Sequence, residues 1–218
     1  MKTLIFDSSS IISLSLNNLL DVLRLLKKQF DGRFLITPDV KREVVDTPLR
    51  IRRFELEALM ISKLIKDGVL GVFENPELNH ETEKFYNNAN SIYSADGENM
   101  RIVHSGEASC LALSSLLKND TVIVMDERTT RMLCESPENL KRLMESKLHT
   151  VVRMDSSKAQ LFSNFKVIRS SELAYVALKK KLLQLPATDE QILNALLFAL
   201  RLKGCAISRQ EIEEIKRM

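Results

Sequence analysis

The chain has 218 residues, 44% apolar and 28% charged, with six glycines, five prolines and a formal charge of +3. That size suits one large domain or one domain with an appendage, and the composition excludes a disordered or fibrous chain. The small basic excess permits a polyanionic partner without demanding one, and three widely spaced cysteines with no Cys-x-x-Cys pair argue against a disulfide framework and a zinc site.

Lys2 to Phe6 reads as a short buried strand ending at Asp7, after which three serines lead into an apolar helical pattern predicted from Ile11 to Lys28. Arg33 to Ile36 is a second strand. Thr37 caps and Pro38 opens the next helix, with Val40, Glu43 and Val44 on or beside one face. Thr47 and Pro48 repeat the device for a long helix to Lys66, stopped by Asp67-Gly68, and Val69 to Phe73 is a third strand. From Glu74 to Asn99 the chain is polar and asparagine-rich, and helix plus loop is expected. Ser105 then caps a helix to Lys118, Thr121 to Met125 is a β-branched strand ending at Asp126, and another helix follows. Ser136-Pro137 starts a helix to Lys147, Phe165 to Arg169 is a fifth strand, and Ser170 caps a helix ending near Leu185. Two capping boxes, Thr188-x-x-Gln191 and Ser208-x-x-Glu211, open a closing pair of helices.

Strands alternating with helices predict a three-layer α/β/α fold around a central, mostly parallel sheet of about five strands. The expected division is an α/β domain over 1–185 with a helical insertion at 136–164, and a helical pair over 186–218 packed on it. The first residues show no leader pattern, and the longest nearly apolar run, Ile192 to Leu202, contains Asn194 and Arg201 and falls short of the ~20 residues that span a bilayer. A cytoplasmic protein without a membrane segment is expected.

In open parallel sheets ligands bind beyond the carboxyl ends of the strands, where Asp7 and Asp126 both stand. Each also has an ordinary explanation, because aspartate is a good helix N-cap and a helix follows both. Glu107 lies in a first helical turn, where the macrodipole favours a carboxylate, yet it shares a face with Ala108, Leu111 and Ala112. Glu43 shares its surface with Val40 and Val44, and taken alone is an ordinary helical glutamate. Together the four acids would repel one another in a single crevice unless a hard cation neutralised them, and magnesium or manganese prefers such oxygen ligands. Such an ion supports phosphodiester hydrolysis.

The segments LIFDSSSIISL, TPDVKREVVD, HSGEASCLALS and VIVMDERTTR, in this order and spacing, resemble the acid-bearing motifs of the PIN-domain nucleases. The resemblance implies that Asp7, Glu43, Glu107 and Asp126 are catalytic metal ligands for Mg2+ or Mn2+, that Ser9 orders the site through its hydroxyl, and that Glu127 is an outer acid. It also matches Arg131 to an arginine often found in that turn, a candidate substrate contact that a surface salt bridge explains equally well. The stretches 74–99 and 136–164 depart from the compact family pattern.

The implied activity is cleavage of single-stranded or structured RNA, ahead of DNA, with a non-catalytic PIN-like module binding RNA or ribosomes as the alternative. Arg50, Arg52, Arg53 and Lys179 to Lys181 are candidate phosphate contacts, Arg53 foremost, although such runs are usually solvated faces. Tyr86 and Tyr93 could stack on unpaired bases or line a core. A helix apolar nearly all round at 192–202 raises a homodimer as one way to bury it, and the resemblance leaves an antitoxin-type partner open. A haloacid dehalogenase phosphatase would need an acid where Ser9 stands, and a receiver domain would need a phosphoacceptor Asp after the third strand, where Glu74-Asn75-Pro76 is found.

Overall fold

The structure, a computed structural model, describes residues 2–118 and 120–217, leaving Met1, Asn119 and Met218 outside. Strand β1 (Lys2–Phe6) is buried from Thr3 onward, and Asp7 ends it by capping helix α1 (Ser8–Leu16). The apolar periodicity continues into α2 (Leu20–Gln29), but the two helices are bent by 115°. Asn18 causes the break. It adopts a left-handed φ of +56°, which asparagine tolerates better than most residues, and the Leu19 N–H turns back to the Leu14 carbonyl at 2.8 Å. The single helix expected from Ile11 to Lys28 is therefore two.

Strand β2 (Gly32–Ile36) leads to α3 (Pro38–Lys41), capped by Thr37, whose hydroxyl accepts the Val40 N–H at 3.2 Å. The backbone then widens into a π turn over Arg42–Asp46, with the Thr47 N–H reaching back to the Arg42 carbonyl at 2.9 Å. Pro48–Arg50 forms a tight 3-10 turn, and the long helix expected from there starts only at α4 (Glu55–Lys66). Wide turns of this kind commonly re-aim functional side chains, and this one carries Glu43.

After β3 (Gly71–Val72) come α5 (Pro76–Ala89) and a hairpin of β4 (Tyr93–Ala95) and β5 (Glu98–Asn99), folded at Asp96-Gly97 with φ of +52° and +86°. Then follow α6 (Ser105–Leu117), β6 (Thr121–Val124), α7 (Arg128–Glu135), α8 (Pro137–Leu148), β7 (Val152–Met154) and α9 (Ser156–Ala159). The chain closes with β8 (Val167–Ile168), α10 (Ser170–Lys179), α11 (Asp189–Leu202) and α12 (Arg209–Arg217). Helix α10 stops short of Leu185 because Lys181 takes a φ of +56° and the Leu182 N–H caps the Ala177 carbonyl at 2.9 Å.

Five parallel strands run in the order β3-β2-β1-β6-β8, with Leu4 opposite Phe34 on one side and Val122 on the other. The chain winds outward from β1 to β3 and then crosses to the other side of β1, so the gap between β1 and β6 is the switch point where such sheets bind ligands. Helices cover both faces, giving the three-layer α/β/α fold.

The two stretches that depart from the compact pattern pack together. β4 pairs antiparallel with both β5 and β7, so 136–164 is not purely helical as expected. Tyr93 is fully buried there and its hydroxyl donates to the Pro137 carbonyl at 2.9 Å, while the Phe85 ring meets Phe162 and Phe165 edge-on. Tyr93 is thus a core anchor rather than a stacking platform. In α11, Ile192, Leu193, Leu196, Leu197 and Leu200 are all buried inside this one chain, so no second copy is needed to cover them. No single helix among the described residues is long and apolar enough to cross a membrane.

Candidate active site

Asp7 is 1% exposed at the carboxyl end of β1. Its Oδ2 accepts the N–H of Ser9 at 3.0 Å and the Ser9 hydroxyl, whereas its Oδ1 is buried without a hydrogen-bond partner. The same Ser9 oxygen accepts the N–H groups of Asp126 at 3.0 Å and Glu127 at 3.2 Å. One hydroxyl therefore locks the ends of β1 and β6 together. Ser10 adds a second tie, donating to the Val124 carbonyl at 2.9 Å.

Glu107 sits in the first turn of α6, where an Oε accepts the His104 N–H, and only 9% of it is exposed. Glu43 reaches the same place from the π turn that follows α3, whose capping residue Thr37 meets α6 through the Thr37 and Ser109 hydroxyls, 2.6 Å apart. Gly106 makes room for it: a Cβ built there would lie 2.8 Å from both carboxylate oxygens of Glu43. Glycine inside a helix costs about 1 kcal/mol relative to alanine, and here its missing side chain lets a glutamate approach α6. The unusual Gly in HSGEAS is the signal that sequence reasoning passed over.

These acids feel one another. Burial, followed by the charge of Glu43, outweighs the hydrogen bonds from Ser9 and raises the Asp7 carboxyl to about 6. Burial, then Asp7, Glu127 and Glu43, raise Glu107 to about 8 despite the His104 N–H. Asp126 stands apart from this set. It is fully buried, but its Oδ1 accepts the Ser170 N–H at 2.8 Å and its Oδ2 the Ser170 hydroxyl at 2.6 Å, so its charge caps α10. The acid of this turn that bears on Glu107 is the half-buried Glu127, itself the N-cap of α7, accepting the Thr130 N–H at 2.7 Å.

Arg131, matched above to a substrate contact, is 3% exposed and lies under the C-terminal segment. It donates to the Ala206 carbonyl at 3.2 Å and pairs with Glu211 at 3.6 Å, so it holds the tail down and does not face a cleft. Arg53 is exposed, with its guanidinium 5.4 Å from the centre of the Phe54 ring.

The family model DUF3368, described as a PIN domain, matches residues 3–140. The chain belongs to the PIN-domain family. No curated protein and no solved structure gives a match. PIN domains are generally metal-dependent nucleases, and the part of this PIN domain that faces the switch point suits a hard cation: an orphaned buried carboxylate oxygen on Asp7, whose pKa burial and the charge of Glu43 raise, beside Glu107, raised by burial and by its acidic neighbours. Among the described residues no three acids already stand at ligating distances. Glu107 is drawn back to its own helix terminus by the His104 N–H. The PIN domain also carries a pocket on each flank of the acids, each of about 350 Å3, one lined by Glu43 and the other by Glu127 together with Arg101, His104 and Lys147.

Proposed function

We propose that this PIN domain is a Mg2+- or Mn2+-dependent endonuclease that hydrolyses phosphodiester bonds in single-stranded or structured RNA in the cytoplasm. The observation that carries this reading is the buried, partnerless Oδ1 of Asp7, whose pKa is held up by burial and by the neighbouring Glu43. A buried carboxylate is costly unless paired, and a divalent ion is the partner that this constellation lacks.

In this reading Asp7, Glu43 and Glu107 hold the ion, with Glu127 as the fourth acid in place of Asp126, whose oxygens serve Ser170. When bound, the ion supplies charge to offset an in-line phosphoryl transition state and to polarise an attacking water. Ser9 fixes the Asp7 carboxylate and the β6 terminus at once. Asp126 sets the position of α10 behind the site. The flank bearing Arg101, His104 and Lys147 offers cationic and donor groups to phosphates on one side, and Arg50, Arg52 and Arg53 do so on the other. The unit over 1–185 carries the chemistry, and the pair of helices from 186 onward braces it through Arg131 and Arg169.

The test is cleavage of end-labelled single-stranded RNA by the purified protein with manganese and with chelator. Manganese-dependent cutting that Asp7→Asn abolishes and that DNA of the same sequence escapes is expected. Binding without cutting would favour the non-catalytic module, and equal residual cutting in the variant would expose a contaminant.

A further inference from the structure

The second sheet supplies none of the clustered acids, yet it decides what stands beside them. β4 pairs with β5 and β7, the Tyr93 hydroxyl donates to the Pro137 carbonyl at 2.9 Å, and the Val152 N–H donates to Glu145 at 3.1 Å. Helix α8 is thereby tied to this sheet near its start and near its end. Asn90, which ends α5, uses both atoms of its amide. Its oxygen accepts the N–H groups of Ile102 at 2.7 Å and Val103 at 2.9 Å, and its nitrogen donates to the Val103 carbonyl at 3.0 Å. The segment from Arg101 to His104 belongs to no strand, but these bonds pin it.

The ties set Arg101, His104 and Lys147 around the pocket of about 350 Å3 that Glu127 also lines. All three are exposed. Arg101 is oriented from two sides, with its guanidinium 5.7 Å from the centre of the Tyr86 ring and its Nη2 3.2 Å from His104 Nδ1. A guanidinium can only donate, so Nδ1 accepts and the imidazole keeps an N–H at Nε2. Among the described residues neither Arg101 nor Lys147 forms an ion pair, whereas Arg24, Lys41, Arg131 and Arg169 each have a carboxylate. The acid in this wall, Glu127, belongs to the proposed metal site, so the cations here lack an anion.

We infer that the second sheet and α8 form an RNA-positioning wing whose pocket takes a backbone phosphate next to the scissile one. The Arg101 fork matches two phosphate oxygens, Lys147 adds a point charge, and His104 adds a donor. A base edge mixes donors with acceptors and finds no match in groups that donate and carry charge. Contacts of this kind place the strand without reading its sequence. Glu127 repels that phosphate until the ion of the acid site offsets its charge. The wing is built from the stretches 74–99 and 136–164 that depart from the compact pattern, and Lys147 lies beyond residue 140, where the family match ends. This inference rests on the proposed nuclease reading, and it names how that site holds its strand.

The experiment is fluorescence anisotropy of the chelator-treated protein with a labelled oligouridylate over a range of salt. Arg101→Gln combined with Lys147→Gln should weaken binding about tenfold or more and lower the slope of log affinity against log salt by about 1.4, at about 0.7 for each cation removed. Arg101→Lys should keep the slope, because the charge remains, and lose less affinity. Lys28→Gln combined with Lys66→Gln makes the same charge change where α2 and α4 end, at the opposite edge of the sheet, and should leave the slope at the wild-type value. A slope unchanged in the Arg101 and Lys147 variant overturns the proposal. So does an equal fall in the Lys28 and Lys66 variant, or a wild type that binds no RNA. In cleavage with manganese, the loss in the Arg101 and Lys147 variant should lie in KM on a long strand and shrink on a dinucleotide, which has only the scissile phosphate. A loss of equal size on both substrates overturns the grip on a flanking phosphate. Cleavage with an unchanged slope sinks the wing alone, whereas the expected fall in slope with no cleavage at all sinks the nuclease reading alone.

Discussion

The hydroxyl oxygen of Ser9 accepts the backbone N–H of Asp126 at 3.0 Å, across 117 positions of sequence, while donating its proton to Asp7. Two adjacent strands of the parallel sheet are thus clasped where they end. Ser9→Ala leaves the amides of Asp126 and Glu127 and one Asp7 oxygen without this partner. Urea denaturation should show a loss of about 1–3 kcal/mol, and cleavage should fall along with it. Stability equal to wild type would mean that water replaces the hydroxyl and that the clasp is incidental.

The acid cluster makes the metal-free protein sensitive to pH in a definite direction. Glu107 is raised from 4.5 to about 8, so the folded state holds a proton that the unfolded chain has released. Its contribution to stability is fully present below about pH 4.5 and is lost as the pH rises through about 8. Glu107→Gln in chelator should therefore flatten the decline in melting temperature over that window and be neutral or stabilising at its upper end. A lower melting temperature there would make Glu107 a structural cap for α6.

Gly106→Ala separates positioning from folding. The added methyl would fall within 2.8 Å of the Glu43 carboxylate, the far end of an exposed side chain that can swing away. Stability should hold or rise by about 0.5–1 kcal/mol, the usual gain of alanine over glycine in a helix, while activity drops by tens to about a hundredfold. Activity equal to wild type would show that Glu43 does not work from against α6.

Glu211 fastens the C-terminal helices. Burial alone would raise its pKa, but the N–H and hydroxyl of Ser208 and the guanidinium groups of Arg169 and Arg131 outweigh that and hold it at about 2. A carboxylate depressed in this way contributes stability above its ordinary 4.5, and that contribution is lost as pH falls through about 2. Thermal melts between about pH 6 and 2 should show a steeper acid loss for wild type than for Glu211→Gln. Parallel curves would mean that the Arg169 contact, 2.6 Å long, carries no net stabilisation.

Much of this was legible from residue order alone. β1 and β6 follow from short apolar runs that stop at an aspartate, β2 from a run that stops at Thr37-Pro38, and a mostly parallel sheet of about five strands from the alternation with helices. The bend at Asn18 was not, because Leu16, Leu19 and Leu20 keep the helical period running through the break. The hairpin at Asp96-Gly97 did carry a turn signal, but strands of two and three residues are too short to show a period. That Ser170 engages both oxygens of Asp126 lies beyond sequence, because the two residues are 44 positions apart. The burial of Arg131 is hidden from the sequence for the same reason, since the carbonyl of Ala206 that it meets comes from the far end of the chain.

Calorimetric titration of manganese into the chelator-stripped protein addresses the shared cation most directly. Wild type should give a saturable heat, and Asp7→Asn and Glu107→Gln should each weaken the affinity about tenfold or more, with Asp126→Asn altering stability more than binding. Indistinguishable isotherms for wild type and Asp7→Asn, or no heat in wild type, would contradict a metal held by these carboxylates.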